Sequence, residues 1–281
     1  MNSYQLLITD LDNTLYDWVT YYSLSFDCYV KKLNQITDIP LETLLDEFKL
    51  INQQYHDSEY PLAVLDLPSI KNKYGQDTAA KVIKQIKPAL DEFYRTRNRT
   101  LKLYPGVCET LRELSKSGIK IVGHTEALYS NALYRLSDLR IMKYFDSLYA
   151  VKTTNDSYFQ FNKVINHRPN FLHTISRLEK KPNPSLLLKI CETAGIPAKK
   201  AIYIGDSLVK DMSMAKAAGI TAVWAKYGTI FNKPNWDILV RITHWTDEDV
   251  EREAEIKEKN KNVEPDITCD RFSDLLVIMS K

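Results

Sequence analysis

Residues 110–124, TLRELSKSG running into IKIVGH, pass from an amphipathic stretch through a glycine into a short run rich in β-branched residues. That order reads as helix, glycine C-cap and strand. It returns in residues 186–206, LLLKICETAGIPAKKAIYIGD, and in residues 212–225, MSMAKAAGITAVWA. Three α-then-β units predict an α/β fold in which helices cover a parallel sheet. Leu6 to Thr9 supplies a further short apolar strand. Open sheets of this kind collect ligands at the carboxyl ends of their strands. The residues to examine are therefore Asp10, Thr125 and Asp206.

Between Asp17 and about Thr100 the pattern changes. Glycine is absent until Gly75, and Val19, Tyr22, Phe26, Tyr29 and Leu33 recur at steps of three and four, as do Val82, Ile86, Leu90 and Phe93. Such spacing predicts a helical unit with its own core. It is inserted after the first strand and should sit over the strand ends like a lid. The expected division is 1–16 and 101–281 for the α/β core and 17–100 for the helical unit. Residues 150–180 are polar, and a connection of that length is a functional loop or an elaboration. Residues 246–262 read as a charged surface helix, acidic at its start and rich in lysine at its end.

Composition narrows the function classes. A net charge of +2, from 38 basic and 36 acidic residues in 281, provides no field to draw nucleic acid or an anionic membrane. Cys28, Cys108, Cys191 and Cys269 form no CxxC pair and no disulfide framework. The first residues lack the pattern of a secretion signal, and no window reaches the length of a membrane span. The expectation is a cytoplasmic protein acting on small molecules.

Asp10 and Asp12 stand at i and i+2 after an apolar strand, so both carboxylates can lie on one side of an extended segment. Two such close charges need a cation or a shared proton. Asp206 and Asp211 follow another apolar strand. With Asp10 they offer an oxygen-only site of the kind Mg²⁺ takes. Taken singly, Asp211 could equally be a helix-start acid, Thr125 a helix N-cap and Lys181 a surface charge. Together they suit a phosphomonoester. Lys181, Thr125 and the cation would neutralise phosphoryl oxygens, Asp10 would attack phosphorus, and Asp12 would give and take the proton.

The ordered set DLDNTLYD, Thr125 at a strand end, KPNP and GDSLVKD resembles the four motifs of the haloacid dehalogenase superfamily, subfamily I, with phosphoglycolate phosphatase-like members. The helical insertion resembles that family's C1 cap. The resemblance implies a Rossmann-like core, Mg²⁺, a small phosphorylated metabolite as partner, and an aspartyl-phosphate intermediate. It implies Asp10 as nucleophile, Asp12 as acid and base and as a backbone-oxygen ligand, Thr125 and Lys181 on phosphate, and Asp206 and Asp211 at the metal. The KPxP pattern selects Lys181 over Lys180. Glu126 departs from the uncharged donor often found after the threonine, so its side chain must turn away or bind a cation. A phosphomutase or phosphotransferase would use the same residues. A signalling receiver module or a non-catalytic relative is the alternative from another class.

Overall fold

The computed structural model describes residues 4–75, 77–152 and 168–280. It divides into two compact units, one formed by Met1–Asp17, Leu103–Ile230 and Ile256–Lys281, the other by Trp18–Lys102 and Phe231–Glu255.

The first unit is built on a seven-stranded, all-parallel sheet: β1 (Leu6–Thr9), β2 (Lys120–Leu128), β3 (Ser147–Val151), β4 (Leu172–Ile175), β5 (Ala201–Gly205), β6 (Thr221–Ala225) and β7 (Ile267–Cys269), in the spatial order β4-β3-β2-β1-β5-β6-β7. The central strand β1 is sealed along its whole length, which requires cover on both faces. Leu6 and Ile8 join Val122, Tyr203, Leu187 and Ile190 in one core beneath the helix Pro184–Ala194. Leu7, by alternation, faces the opposite layer. Each such aliphatic side chain contributes about 1.5–3 kcal/mol on burial. The helix Pro184–Ala194 starts with the Asn183 side chain accepting the Leu186 amide and ends at Gly195, whose positive φ lets its amide reach the carbonyls of Cys191 and Glu192.

Register places the strand ends. Thr9 lies opposite Gly123 of β2 on one side and Ile204 of β5 on the other. Asp10, His124–Thr125 and Gly205–Asp206 consequently emerge along one edge. The polar stretch from 150 to 180 contains strand β4, which its composition did not announce, and residues 153–167 within it lie outside the described residues. The stacking of His173 on Tyr149, 4.4 Å between centroids, ties β4 to β3.

The second unit pairs α1 (Trp18–Thr37) with α2 (Leu41–Tyr55), α3 (Pro68–Tyr74) and α4 (Ala79–Thr100), α1 lying along α4. Phe26, Tyr29, Phe48 and Phe93 form its aromatic centre, with ring centroids 5.1–5.9 Å apart for Phe26–Phe48, Tyr29–Phe93 and Tyr29–Phe48. A later segment completes it. The helix Lys233–Arg241 packs on α1, and buried Asn52 donates to the Ile242 carbonyl at 2.8 Å. The unit thus includes Phe231–Glu255, beyond the 17–100 boundary that glycine content and periodicity suggested. Leu239 is the only buried residue of the helix Lys233–Arg241, so its sequence carries no buried apolar stripe that would assign it to the helical unit. No described helix is long and apolar enough to cross a membrane.

Candidate functional site

The turn after β1 is tightly wound. Thr14 and Leu15 both donate to the Leu11 carbonyl, Asn13 donates to that of Tyr16, and the Asp10 amide is engaged by the Ile204 carbonyl of β5 at 2.9 Å. Asp10 itself is buried. Its Oδ1 accepts from the Lys181 ammonium at 2.6 Å, and the same nitrogen lies 2.9 Å from Asp211 Oδ1. Lys181, which in isolation could have been a surface charge, is only 4% exposed. Burial works against its charged form, but Asp10 and Asp211 outweigh burial and hold its pKa well above the usual lysine value.

One oxygen each from Asp10, Asp206 and Asp211 can be chosen so that all lie within 4.8 Å of one another. This donor set is purely carboxylate and crowded. Burial raises Asp10 well above the ordinary carboxylate range against the pull of Lys181, and Asp211, Asp206 and Asp12 push it further up. Asp206 is raised to about 7, first by burial and then by Asp211. A hard divalent cation fits such a set, because it removes the repulsion that makes these acids hold protons.

Asp211 is held from several sides. The Ser207 amide donates to its Oδ2 at 3.0 Å and the Tyr203 hydroxyl to its Oδ1 at 3.1 Å. The turn carrying it, Leu208–Met212, is a single π-type turn in which both the Asp211 and Met212 amides reach the Ser207 carbonyl. Gly205 is required by this packing, since a methyl group there would overlap the Asp211 carboxylate. The Asp206 carbonyl accepts from Trp224 Nε1 at 2.8 Å, which fixes the loop from the neighbouring strand.

Thr125 is buried inside β2 at a register irregularity, and its hydroxyl accepts from the Ala127 amide at 3.0 Å. It is not a helix N-cap: α5 (Tyr129–Asp138) begins four residues on, after Leu128. Glu126 has a role too. Its Oε1 accepts the Lys181 amide at 2.9 Å, and its Oε2 lies 3.7 Å from the Lys210 ammonium. The side chain that could not donate therefore accepts, and ties the β2 end to the lysine loop.

Asp12 stands apart from the other three acids. Its Oδ1 accepts from Arg135 Nη1 at 2.5 Å, and Arg135 is fully buried on α5. Its carboxylate does not belong to the acidic cluster, so of the four acids proposed for the metal only three bring side chains together. Tyr16 belongs to the sheet unit and is buried beneath the Arg135 guanidinium. Sequence reasoning did not select Arg135, although a signal existed: it shares the buried side of α5 with Ala132, Leu133 and Leu136, where an arginine is out of place. Nor did it select Tyr203 or His124. His124 is buried with Nδ1 3.4 Å from the Tyr203 hydroxyl, and burial, aided by Lys181, keeps it neutral.

The profile of the haloacid dehalogenase-like hydrolases matches residues 4–219. A phosphoglycolate phosphatase of Pseudomonas savastanoi pv. phaseolicola is 27% identical over 141 residues, 50% of this chain and 43% of that protein. A glyceraldehyde 3-phosphate phosphatase of Methanopyrus kandleri is 26% identical over 192 residues, 68% of this chain and 70% of that one. The chain spans less than half the length of the Pseudomonas relative it matches. Among solved structures, a HAD hydrolase of Bacillus subtilis bound to magnesium is 16% identical with a TM-score of 0.52, covering 99% of both chains. A 2-haloacid dehalogenase of Pseudomonas syringae pv. tomato matches at 16% identity and a TM-score of 0.52, over 98% of this chain and 97% of that one. These structures share the fold, and the family match over residues 4–219, most of the chain, shows that the chain belongs to the haloacid dehalogenase-like hydrolases.

Proposed function

We propose that the chain is a Mg²⁺-dependent phosphatase that hydrolyses a small-molecule phosphomonoester through an aspartyl phosphate on Asp10. The observation that carries this reading is the buried Lys181 ammonium between Asp10 and Asp211, 2.6 and 2.9 Å away, beside a third carboxylate from Asp206. A carboxylate nucleophile and a phosphate dianion repel each other, so a site for their reaction must concentrate positive charge. Bound by the Asp10 and Asp206 carboxylates, the Asp12 backbone oxygen and Asp211 directly or through water, Mg²⁺ would add positive charge at the phosphoryl oxygens. Lys181 and the Thr125 hydroxyl would hold the remaining oxygens.

In the first step an Asp10 oxygen bonds to phosphorus while the bond to the ester oxygen breaks, and Asp12 gives its proton to that oxygen. In the second, water attacks phosphorus and passes a proton to Asp12, the Asp10–phosphorus bond breaks, and inorganic phosphate leaves. The names of the relatives, phosphoglycolate and glyceraldehyde 3-phosphate phosphatases, support a two- or three-carbon phosphate as the substrate class.

Phosphate release from phosphoglycolate, glycerol phosphate and p-nitrophenyl phosphate, with Mg²⁺ and with EDTA, tests the proposal. Asp10→Asn is expected to reduce turnover on the order of 10⁴-fold or more. Activity that survives this substitution, or survives EDTA, removes the mechanism; transfer of phosphate to a sugar hydroxyl in place of release would make the chain a phosphotransferase.

A further inference from the structure

The two-step reaction leaves one buried charge without a role. Arg135 is fully buried on α5 among Ala132, Leu133 and Leu136. Taking a guanidinium out of water costs several kcal/mol unless charge and hydrogen bonds compensate. A buried arginine is therefore held where its partner is, and it holds its partner in return. Here Nη1 donates to Asp12 Oδ1 at 2.5 Å, and Cζ lies 5.8 Å from the centre of the Tyr16 ring. Tyr16 is itself fixed: its carbonyl accepts from the Asn13 amide at 2.9 Å, and its backbone bridges both Asp12 and Leu103. The guanidinium is bracketed between a carboxylate and an aromatic ring.

Exposure separates the two members of the pair. The Asp12 side chain is 24% exposed and that of Arg135 is 0% exposed. A ligand can reach the acid but not the residue that orients it. Resting on the phosphatase reading, we propose that Arg135 is a positioning residue: it anchors Oδ1 of Asp12 so that Oδ2 faces the leaving oxygen of the ester. The proton passes from Oδ2 to that oxygen as the phosphorus–oxygen bond breaks, and the resulting carboxylate, still held through Oδ1, takes a proton from water in the second step. Arginine suits the task because its guanidinium is planar and stays charged, so it orients the acid without exchanging protons with it.

The test uses leaving groups that differ in their need for a proton. An alkyl alkoxide, as from glycerol phosphate or phosphoglycolate, needs one to depart, whereas p-nitrophenolate does not. Arg135→Met is expected to lower kcat/KM for the alkyl esters about 100-fold while changing that for p-nitrophenyl phosphate less than about threefold, with KM for the alkyl esters nearly unchanged. Arg135→Lys should recover part of the alkyl-ester loss. In an Asp12→Asn background, Arg135→Met should add no further loss. Equal losses on both ester types, additive losses in the double variant, or no loss would overturn the proposal. If far-UV circular dichroism shows Arg135→Met to be unfolded, Arg135→Lys decides by the same ratio: a loss selective for alkyl esters supports positioning, and an equal loss or none overturns it. Failure of the phosphatase reading is separately visible, because the unaltered protein would then release phosphate from neither ester, or Asp10→Asn would remain active; either result removes both proposals.

Discussion

Asp10 and Asp12 are two residues apart on one turn, yet their surroundings are opposite. On the Asp10 side, three carboxylates share one ammonium, that of Lys181. On the Asp12 side, one carboxylate meets one guanidinium. The first arrangement carries surplus negative charge and is stabilised by an added cation or proton, whereas the second is balanced by itself. A single turn thus presents a charge-hungry pocket and a self-sufficient pair, the contrast that the proposed mechanism asks of its nucleophile and its acid.

The largest test of this contrast is pH. Asp206 holds its proton up to about pH 7 in the folded protein, whereas an unfolded aspartate releases it near its ordinary value. Between those limits the folded state binds more protons than the unfolded one, so stability is fully present at acid pH and falls as pH rises through about 7. The metal-free protein is expected to lose roughly 3 kcal/mol between pH 4 and pH 8, after a discount for the part of Asp206 that solvent reaches. Mg²⁺ should restore more stability at pH 8 than at pH 5. Thermal melts in EDTA and in Mg²⁺ measure both effects, and a flat profile would break the comparison.

Next in size, Asp12→Ala takes the partner from a buried guanidinium and should lower stability by about 2 kcal/mol. Asp10→Asn should do the reverse. By removing one of three crowded acids it is expected to raise the metal-free stability by about 1 kcal/mol at pH 8 while abolishing turnover. Denaturant titration of the two variants would sharpen the contrast if their shifts have opposite signs and refute it if they agree. The smallest effect belongs to Tyr203→Phe, which removes one of the donors on Asp211 and should cost about 1 kcal/mol or less.

Much of the α/β unit was legible because its signals are local. A helix, a capping glycine and an apolar strand lie within some twenty residues, as in 186–206, and strand ends mark where ligands gather. Asp10, Thr125, Asp206 and Asp211 were reachable on those grounds, whereas Lys181 was reached only through the resemblance of KPNP to a family motif. What was not legible depends on pairs distant in sequence. The match of Arg135 with Asp12 spans 123 residues, and the contact of Glu126 with the Lys181 amide spans 55. Strand β4 was missed because LHTI carries polar residues at two of its four positions, and its stability comes from pairing with β3. Thr125 was read as closing its strand because the irregularity of β2 beyond His124 has no marker in composition.

The return of Phe231–Glu255 to the helical unit has a consequence for how the molecule is made. During synthesis α1 emerges early, but the helix that packs on it, Lys233–Arg241, is more than two hundred residues behind. The sheet also waits, since its edge strand β7 begins only at Ile267. Neither unit can reach its final packing until residues 233–269 have been made, so both complete almost together. A nascent chain halted before residue 231 would expose the α1 surface meant for that helix, and quality-control factors that read exposed apolar surface would meet it there.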